Sequence, residues 1–226
     1  MSENINKNMS DDEKKRSEAR VPTQKDKLMV YAGNVVKTTN ENKISEETSL
    51  KLVLKISSYK DSLVTINSLQ QKMIRDYKKQ SSRVTDFYNE LEESIRDLYQ
   101  YLKYRYGIKS DEIVAFGYNV GATTIPETYS ELIALAGNIV ANIKTNNVTD
   151  EEALMLGEII GNKKDELESS KAKKNRMLAE QKSTTIKVNE NVEVLYETIR
   201  ELIRYLDYKI GPKSEEFLKY GIKPLK

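Results

Sequence analysis

A long pattern occurs twice in this chain, 104 positions apart, and this duplication constrains the fold more than any other feature. Residues 21–117 and 125–221 align without a gap and share 30 identical positions out of 97. The most similar stretches, 93–117 and 197–221, share 12 positions out of 25. A period of this length indicates two copies of one structural unit, and not a short solenoid repeat.

The apolar pattern inside each copy predicts a long helix. Between the acidic stretch near residue 46 and Gly107 there is no Pro or Gly, and the matching stretch of the second copy contains only Gly157 and Gly161. Apolar residues shared by both copies are separated by multiples of seven, at Ile56, Leu63, Val84, Leu91 and Leu98, and at Ile160, Leu167, Val188, Leu195 and Leu202. Met73, Ile95 and Leu102 extend this seam. A heptad phase kept over this distance favours one continuous helix in each copy.

A helical hairpin is the alternative for the same stretches. Its turn would fall near Lys79–Asp86 and Ser183–Glu190, where Ser and β-branched residues gather. Large apolar residues also become rare through 168–176. Both readings therefore stay open for 45–107 and 149–211.

Shorter elements flank the long ones. Pro22 and Pro126 suit the first turn of a helix, and each helix carries an Ala-Gly-Asn motif, at 32–34 and 136–138. Gly inside a helix costs about 1 kcal/mol relative to Ala, so Gly33 and Gly137 predict either close packing of a neighbouring helix or the end of the helix.

Helix starts and stops are signalled by hydroxyl, acidic and glycine residues. Ser45-Glu46-Glu47 and Thr149-Asp150-Glu151 predict helix starts in which the hydroxyl caps free N–H groups. Gly107 and Gly211 are predicted to end the long elements in the left-handed conformation, and Gly117 and Gly221 are predicted to stop the short helices that follow.

These elements predict an all-α protein, an internally duplicated helical bundle with pseudo-twofold symmetry. Each copy holds a short helix, a long helix or long helical hairpin, and a short terminal helix. We expect a disordered tail at 1–20, one helical repeat at 21–121 and a second at 122–226, with the two copies packed as one bundle. In an antiparallel arrangement each short helix would cover one end of the long pair.

Composition argues against catalysis. The chain has no His and no Cys, which removes the commonest general base, thiolate chemistry and the usual zinc ligands. No nucleotide-binding loop or nucleophile motif occurs, so we expect no enzyme activity, no metal and no cofactor. With 37 basic and 35 acidic residues, a polar beginning and no long apolar run, a cytoplasmic protein without membrane insertion is expected.

Tyrosine is abundant, with 14 residues, and some of it recurs in both copies. Tyr101 and Tyr104 match Tyr205 and Tyr208, beside the seam and not on it. They are either structural rings under the short helices, with their hydroxyls in water, or contacts for a protein partner. The recurring Arg96 and Arg200 are expected to form surface salt bridges.

The most basic run is Lys171-Ala-Lys-Lys-Asn-Arg176. Helical spacing spreads Lys171, Lys174 and Lys182 over one side, either as a solvated face or as an anion contact. The run has no matching aromatic platform in the sequence, and its counterpart 67–72 is nearly uncharged.

The layout resembles a class of bacterial tandem-repeat all-helical proteins. The matching stretches are the LIALAGNIVANI helix at Leu132–Ile143, the acidic helix start at Thr149–Glu152 and the glycine-initiated connector at Gly117–Ile125. The resemblance implies this fold and no activity. We expect a non-enzymatic interaction or scaffold protein, self-associating through duplicated surfaces. The less favoured alternative is nucleic-acid or anionic-surface binding through the Lys171–Lys187 face, because a net charge of +2 gives no general reason to expect such a partner. A steep loss of affinity with salt would distinguish it.

Overall fold

A computed structural model of the chain describes residues 20–118, 125–146 and 149–225. Within these ranges every regular element is a helix, which confirms the predicted all-α class. The elements are α1 (Lys25–Glu41), α2 (Glu47–Tyr106), α3 (Asp111–Ala115), α4 (Tyr129–Thr145), α5 (Glu151–Ile210) and a closing 3₁₀ helix (Glu215–Tyr220). Residues 1–19 of the predicted tail lie outside the described residues.

Both long elements are continuous helices of 60 residues. α2 passes through 79–86 and α5 through 183–190 without interruption, so the hairpin alternative is wrong. The ten shared heptad residues are all buried, with at most 4% of any of them exposed. The helices continue through their polar central residues. The heptad phase therefore predicted helix continuity better than the local composition did.

The chain forms two compact units, and each unit draws on both repeats. Unit 1 comprises the described parts of Met1–Lys72 and Gln181–Lys226, and unit 2 is Met73–Glu180. The boundaries therefore fall inside α2 and α5, and not at the connector between the repeats.

In unit 1 the beginning of α2 lies antiparallel to the end of α5. Ser62 donates to Asn191 over 3.3 Å, and further along α2 the amide of Gln70 donates to Thr185 over 3.0 Å. α1 covers this pair with buried Leu28, Ala32 and Val35, and the 3₁₀ helix closes the core with Phe217 and Tyr220.

Unit 2 repeats this arrangement with the other halves of the long helices. Lys163 forms an ion pair of 2.7 Å with Glu90, and Gln80 bonds to Ser170, so α2 and α5 are again antiparallel. α4 covers the pair with buried Leu132, Ala136, Ile139 and Ile143, and α3 contributes Ile113 to the same core.

Four glycines end helical segments in the left-handed conformation, which was predicted for Gly107 and Gly211 and is also found at Gly117 and Gly221. The φ angles are 90° at Gly107, 92° at Gly117, 80° at Gly211 and 69° at Gly221. The predicted helix starts at the prolines are wrong by three residues, because α1 begins at Lys25 and α4 at Tyr129. Thr128 caps α4 by accepting from the amide of Glu131, so the proline precedes the cap and does not enter the first turn.

Both readings of the Ala-Gly-Asn glycines are wrong. Gly33 and Gly137 lie inside α1 and α4, which continue to Glu41 and Thr145. A Cβ on Gly33 would meet nothing within 4 Å, and one on Gly137 would lie 3.8 Å from Lys164 Cε. Neither glycine therefore ends a helix or mediates a close approach.

A glycine that does mediate a close approach is Gly157 on α5. A Cβ at this position would lie 2.2 Å from the Cδ1 atom of Ile143 on α4. At the matching positions of the first repeat, Val53 replaces Gly157 and Thr39 replaces Ile143. The larger residue is thus on the covering helix in unit 2 and on the long helix in unit 1.

Candidate interaction surfaces

A carboxylate and a tyrosine join the two long helices in unit 1. Glu46 accepts hydrogen bonds from the backbone N–H groups of Thr48 and Ser49, and so caps the start of α2. The hydroxyl of Tyr205, on α5, donates to the same carboxylate over 2.5 Å. The cap was predicted at the preceding hydroxyl; the structure assigns it to the carboxylate, which also reaches across to the neighbouring helix.

The corresponding contact in unit 2 uses the matching residues. Asp150 accepts from the amides of Glu152 and Ala153 at the start of α5. Its carboxylate also accepts from Tyr101 over 2.7 Å and from Tyr106 over 3.1 Å. The Tyr101 and Tyr205 hydroxyls are thus bonded to carboxylates, whereas the structural reading had left them in water.

These hydrogen bonds shift the acidity of the groups involved. Partial burial by itself would raise the pKa of Glu46, but the bonds from Tyr205 and from the Ser49 and Thr48 amides lower it to about 2. The bond from Tyr101 is the main cause that lowers the pKa of Asp150, and in return it raises the pKa of Tyr101 to about 12. At neutral pH each site holds a carboxylate and a protonated phenol.

The other two predicted tyrosines are left on the surface. Tyr104 is 91% exposed and Tyr208 is 68% exposed, each in the last turn of its long helix. The short element that follows carries an exposed apolar residue in both units, Val114 after α2 and Leu218 after α5. We call Tyr104 with Val114, and Tyr208 with Leu218, the tyrosine patches.

Each recurring arginine forms a salt bridge, but only that of Arg96 is on the surface, because the Arg200 side chain is just 14% exposed. Arg96 bonds to Glu92 one turn earlier in α2, and Arg200 bonds to Glu197 over 2.6 Å in α5. Arg200 also lies over the ring of Tyr196 at 5.4 Å. Both salt bridges are therefore formed within the arginine's own helix.

The predicted basic residues do not form one continuous set. Lys171 and Lys174 belong to unit 2 and Lys182 to unit 1. Contrary to the sequence reading, aromatic rings accompany the run, since the ammonium of Lys171 lies 5.6 Å from the ring centre of Tyr129 and that of Lys174 lies 5.8 Å from that of Tyr77.

The sequence reading missed a second basic stretch beside the first. Its members are exposed cations of α2, at Arg75, Lys78, Lys79 and Arg83. In the sequence analysis the basic run of α5 was compared with 67–72, its counterpart in the first repeat. In the structure, the part of α2 that lies beside this run is the one around Gln80, which bonds to Ser170. The signal was present in the sequence, and reading it required the helix register.

Unit 1 also contains a groove of about 720 Å³ between α2 and α5. Lys51 and Lys55 form one wall, and the opposite wall carries glutamates, among them Glu193 and Glu201. Lys51 is already paired with Glu47 over 2.6 Å in its own helix. Nothing in the groove presents a reactive group or a fixed polar cradle, so we assign it no chemistry.

No group of three or more acidic side chains in the described ranges could hold a metal ion. Nor is any helix in these ranges long and apolar enough to cross a membrane.

A buried ion pair joins Arg20 to Asp207 over 3.1 Å, and Arg20 also donates to the carbonyl of Pro212. In the sequence analysis Arg20 was placed in the disordered tail, but in the structure this residue belongs to the core of unit 1.

Comparison with known proteins found no matching family model, no similar curated protein and no similar solved structure.

Proposed function

We propose that this chain is a non-enzymatic helical interaction protein that self-associates through its two tyrosine patches. The exposure of Tyr104 and Tyr208 at equivalent positions of the repeat carries the proposal. The whole sequence lacks His and Cys, and the Glu46 and Asp150 carboxylates, whose pKa values are lowered, cap helices. Both features favour a binding role over a catalytic one.

Reciprocal contacts support the internal duplication on which the proposal rests. Tyr101 of the first repeat bonds to Asp150 of the second, while Tyr205 of the second bonds to Glu46 of the first. Adding 104 to Tyr101 and to Glu46 gives Tyr205 and Asp150. Such an exchange of partners is what an internal pseudo-twofold axis between two antiparallel copies produces, with a coiled-coil pairing of the long helices.

The exposed tyrosines suit a protein contact. A Tyr ring offers a large apolar area and a hydroxyl that still hydrogen-bonds when it is covered, and Tyr is enriched at energetically important interface positions. Tyr104 and Tyr208 are exposed to solvent. Tyr101 and Tyr205, three residues earlier, instead bond to carboxylates of the protein. Val114 and Leu218 add apolar area on the next element of each unit.

Two copies of one patch make a chain bivalent. A patch that pairs with the same patch of another molecule forms an isologous contact, which closes when each molecule has one such patch. A molecule with two can bind two neighbours, and association then continues beyond the dimer. Removal of one patch should restrict association to dimers.

Sedimentation velocity over a protein concentration series tests this scheme. We expect the native chain to form species larger than dimers, Tyr104→Ser and Tyr208→Ser to stop at dimers, and the double variant to stay monomeric. Leu54→Ser is the control, because Leu54 is 69% exposed on α2 and belongs to neither patch. A native chain that is monomeric throughout, or a double variant that assembles like the native chain, would refute the proposal.

A further inference from the structure

Two basic stretches lie side by side in unit 2, one from each long helix. The α2 stretch, 73–83, provides four exposed cations, at Arg75, Lys78, Lys79 and Arg83. The α5 stretch, 169–179, provides the exposed Lys173 and Arg176 and the half-buried Lys171 and Lys174. Together these eight residues form what we call the basic band.

Direct contacts hold the two stretches together. The side-chain amide of Gln80 is buried and donates to both the hydroxyl and the carbonyl oxygen of Ser170, over 2.6 and 3.0 Å. Arg83 and Lys173 line one cleft of about 380 Å³ between the helices, and Lys174 reaches from α5 over the ring of Tyr77 on α2. Arg83, Lys173 and Lys174 thus lie where the two long helices meet, whereas Lys171 lies over Tyr129 of α4.

Acidic residues are few inside the band, although Asp165 and Glu166 line the cleft that Arg83 and Lys173 share. In 73–83 and 169–179 the sole acidic residue is Asp76. None of the eight cations takes part in an ion pair with another described residue, whereas Lys163 and Lys164, just before the α5 stretch, are both paired with carboxylates. Like charges crowded on neighbouring turns repel and lower stability. Single contacts such as that of Lys174 with Tyr77 stabilise the fold, but the accumulation of like charge does not.

The repeat does not account for the band either. The positions that match Lys171, Lys173 and Lys174 in the first copy are occupied by Asn67, Leu69 and Gln70. The tyrosine patches occur in both units, but the α5 half of the band is particular to unit 2. A separate ligand from the one that binds the tyrosine patches is therefore indicated.

Lys and Arg side chains at this density match a polyanion, and the surrounding surface favours nucleic acid over lipid. A membrane-surface helix needs an apolar face next to its basic face, but no large hydrophobic residue within 73–83 or 169–179 is among the exposed ones. We propose that the basic band binds the phosphate backbone of a nucleic acid, without reading base sequence. Phosphate contacts position a strand and carry no direct sequence information.

Fluorescence anisotropy with a labelled DNA duplex and a labelled single-stranded RNA tests the proposal in the full chain. We expect binding to both, weakening linearly on a log–log plot against salt, with a slope of roughly 0.9 per phosphate contact on duplex DNA. Replacing Arg75, Lys78, Lys79 and Arg83 by Gln should weaken binding about tenfold or more and reduce that slope by about 3. Replacing the four α5 cations by Gln should have a similar effect.

A matched control separates the band from net charge. Replacing Lys103, Lys109, Lys209 and Lys213 by Gln removes four exposed lysines outside the band and changes the net charge equally. Retained binding in this control, with an unchanged or higher melting temperature of the band variants at low salt, would support the site. Absence of nucleic-acid binding, equal losses in control and band variants, or binding to phosphatidylserine vesicles or polyglutamate but not to nucleic acid, would overturn it.

Discussion

Ile143 on α4 occupies the space that a side chain at residue 157 of α5 would need, since a Cβ there would lie 2.2 Å from its Cδ1 atom. A side chain at residue 157 would therefore force the end of the Ile143 side chain to move. The first repeat solves the same problem in the opposite way, with Thr39 on the covering helix and Val53 on the long one.

Gly157→Val should destabilise the protein by about 1–3 kcal/mol, because overpacking a well-filled core costs this much. Adding Ile143→Thr should restore much of the loss, since the double variant has the residue pair of unit 1. Thermal unfolding of both single variants and the double variant gives the interaction free energy. If the two effects simply add, the proposed steric compensation is incorrect.

Gly33→Ala and Gly137→Ala should each stabilise the protein by about 0.5–1 kcal/mol, because Gly inside a helix is unfavourable by that amount. A Cβ meets nothing within 4 Å at Gly33 and an ordinary contact at Gly137. Gly211→Ala is the control: a Cβ is unobstructed there too, but φ is 80°, so a loss of about 1–2 kcal/mol is expected. Chemical denaturation measures all three, and a destabilised Gly33→Ala would point to a contact that this surface makes elsewhere.

The Glu46 carboxylate should make stability depend on acidity. Its pKa is about 2 in the folded protein and about 4.3 in an unfolded chain. The folded pKa is the lower one, so its contribution is fully present above about pH 4.3 and is lost as the pH falls towards 2. Tyr205→Phe should weaken this dependence, whereas Tyr208→Phe, which changes an exposed ring, should leave it intact. Melting temperatures between pH 2 and 7 test the difference, and identical profiles for both variants would exclude the role of the Tyr205 hydroxyl.

Asp207→Ala should be strongly destabilising, by about 3–5 kcal/mol, because it leaves the buried Arg20 charge without its partner. Only 8% of the Arg20 side chain and 3% of the Asp207 side chain are exposed. Lys103→Ala is the control at the matching position of the first repeat, where the residue is exposed, and should change little. Similar melting temperatures for the two variants would show that the ion pair does not stabilise the fold.

The sequence was sufficient to predict the helices and much of their core. A heptad seam such as Leu91 to Leu98 reports burial because every seventh residue returns to the same face of a paired helix. The left-handed glycines, such as Gly107, were predictable for a similar reason, since a specific backbone conformation requires that residue. In both cases the residue type and its position in the sequence were enough to predict the local structure.

The candidate sites depended on the helix register, which local patterns do not contain. Lys171 could be recognised as basic, but its neighbours on α2 follow only from a contact such as Gln80 with Ser170. The glycine error has the same origin. Gly33 and Gly137 recur in both copies and attracted a shared explanation, whereas the close approach at Gly157 depends on the size of Ile143 on another helix.

The composition of the two compact units sets an order in which they can be completed during synthesis. Unit 2 is formed by one uninterrupted segment, 73–180, so its core residues are all available once the ribosome has passed that point. Unit 1 combines α1 and the first part of α2 with the later segment 181–225. Phe217 and Tyr220 of that later segment complete the core that α1 lines. The apolar surface of the unit's earlier segment therefore stays uncovered until 181–225 have been made, and a chaperone could bind it during that interval.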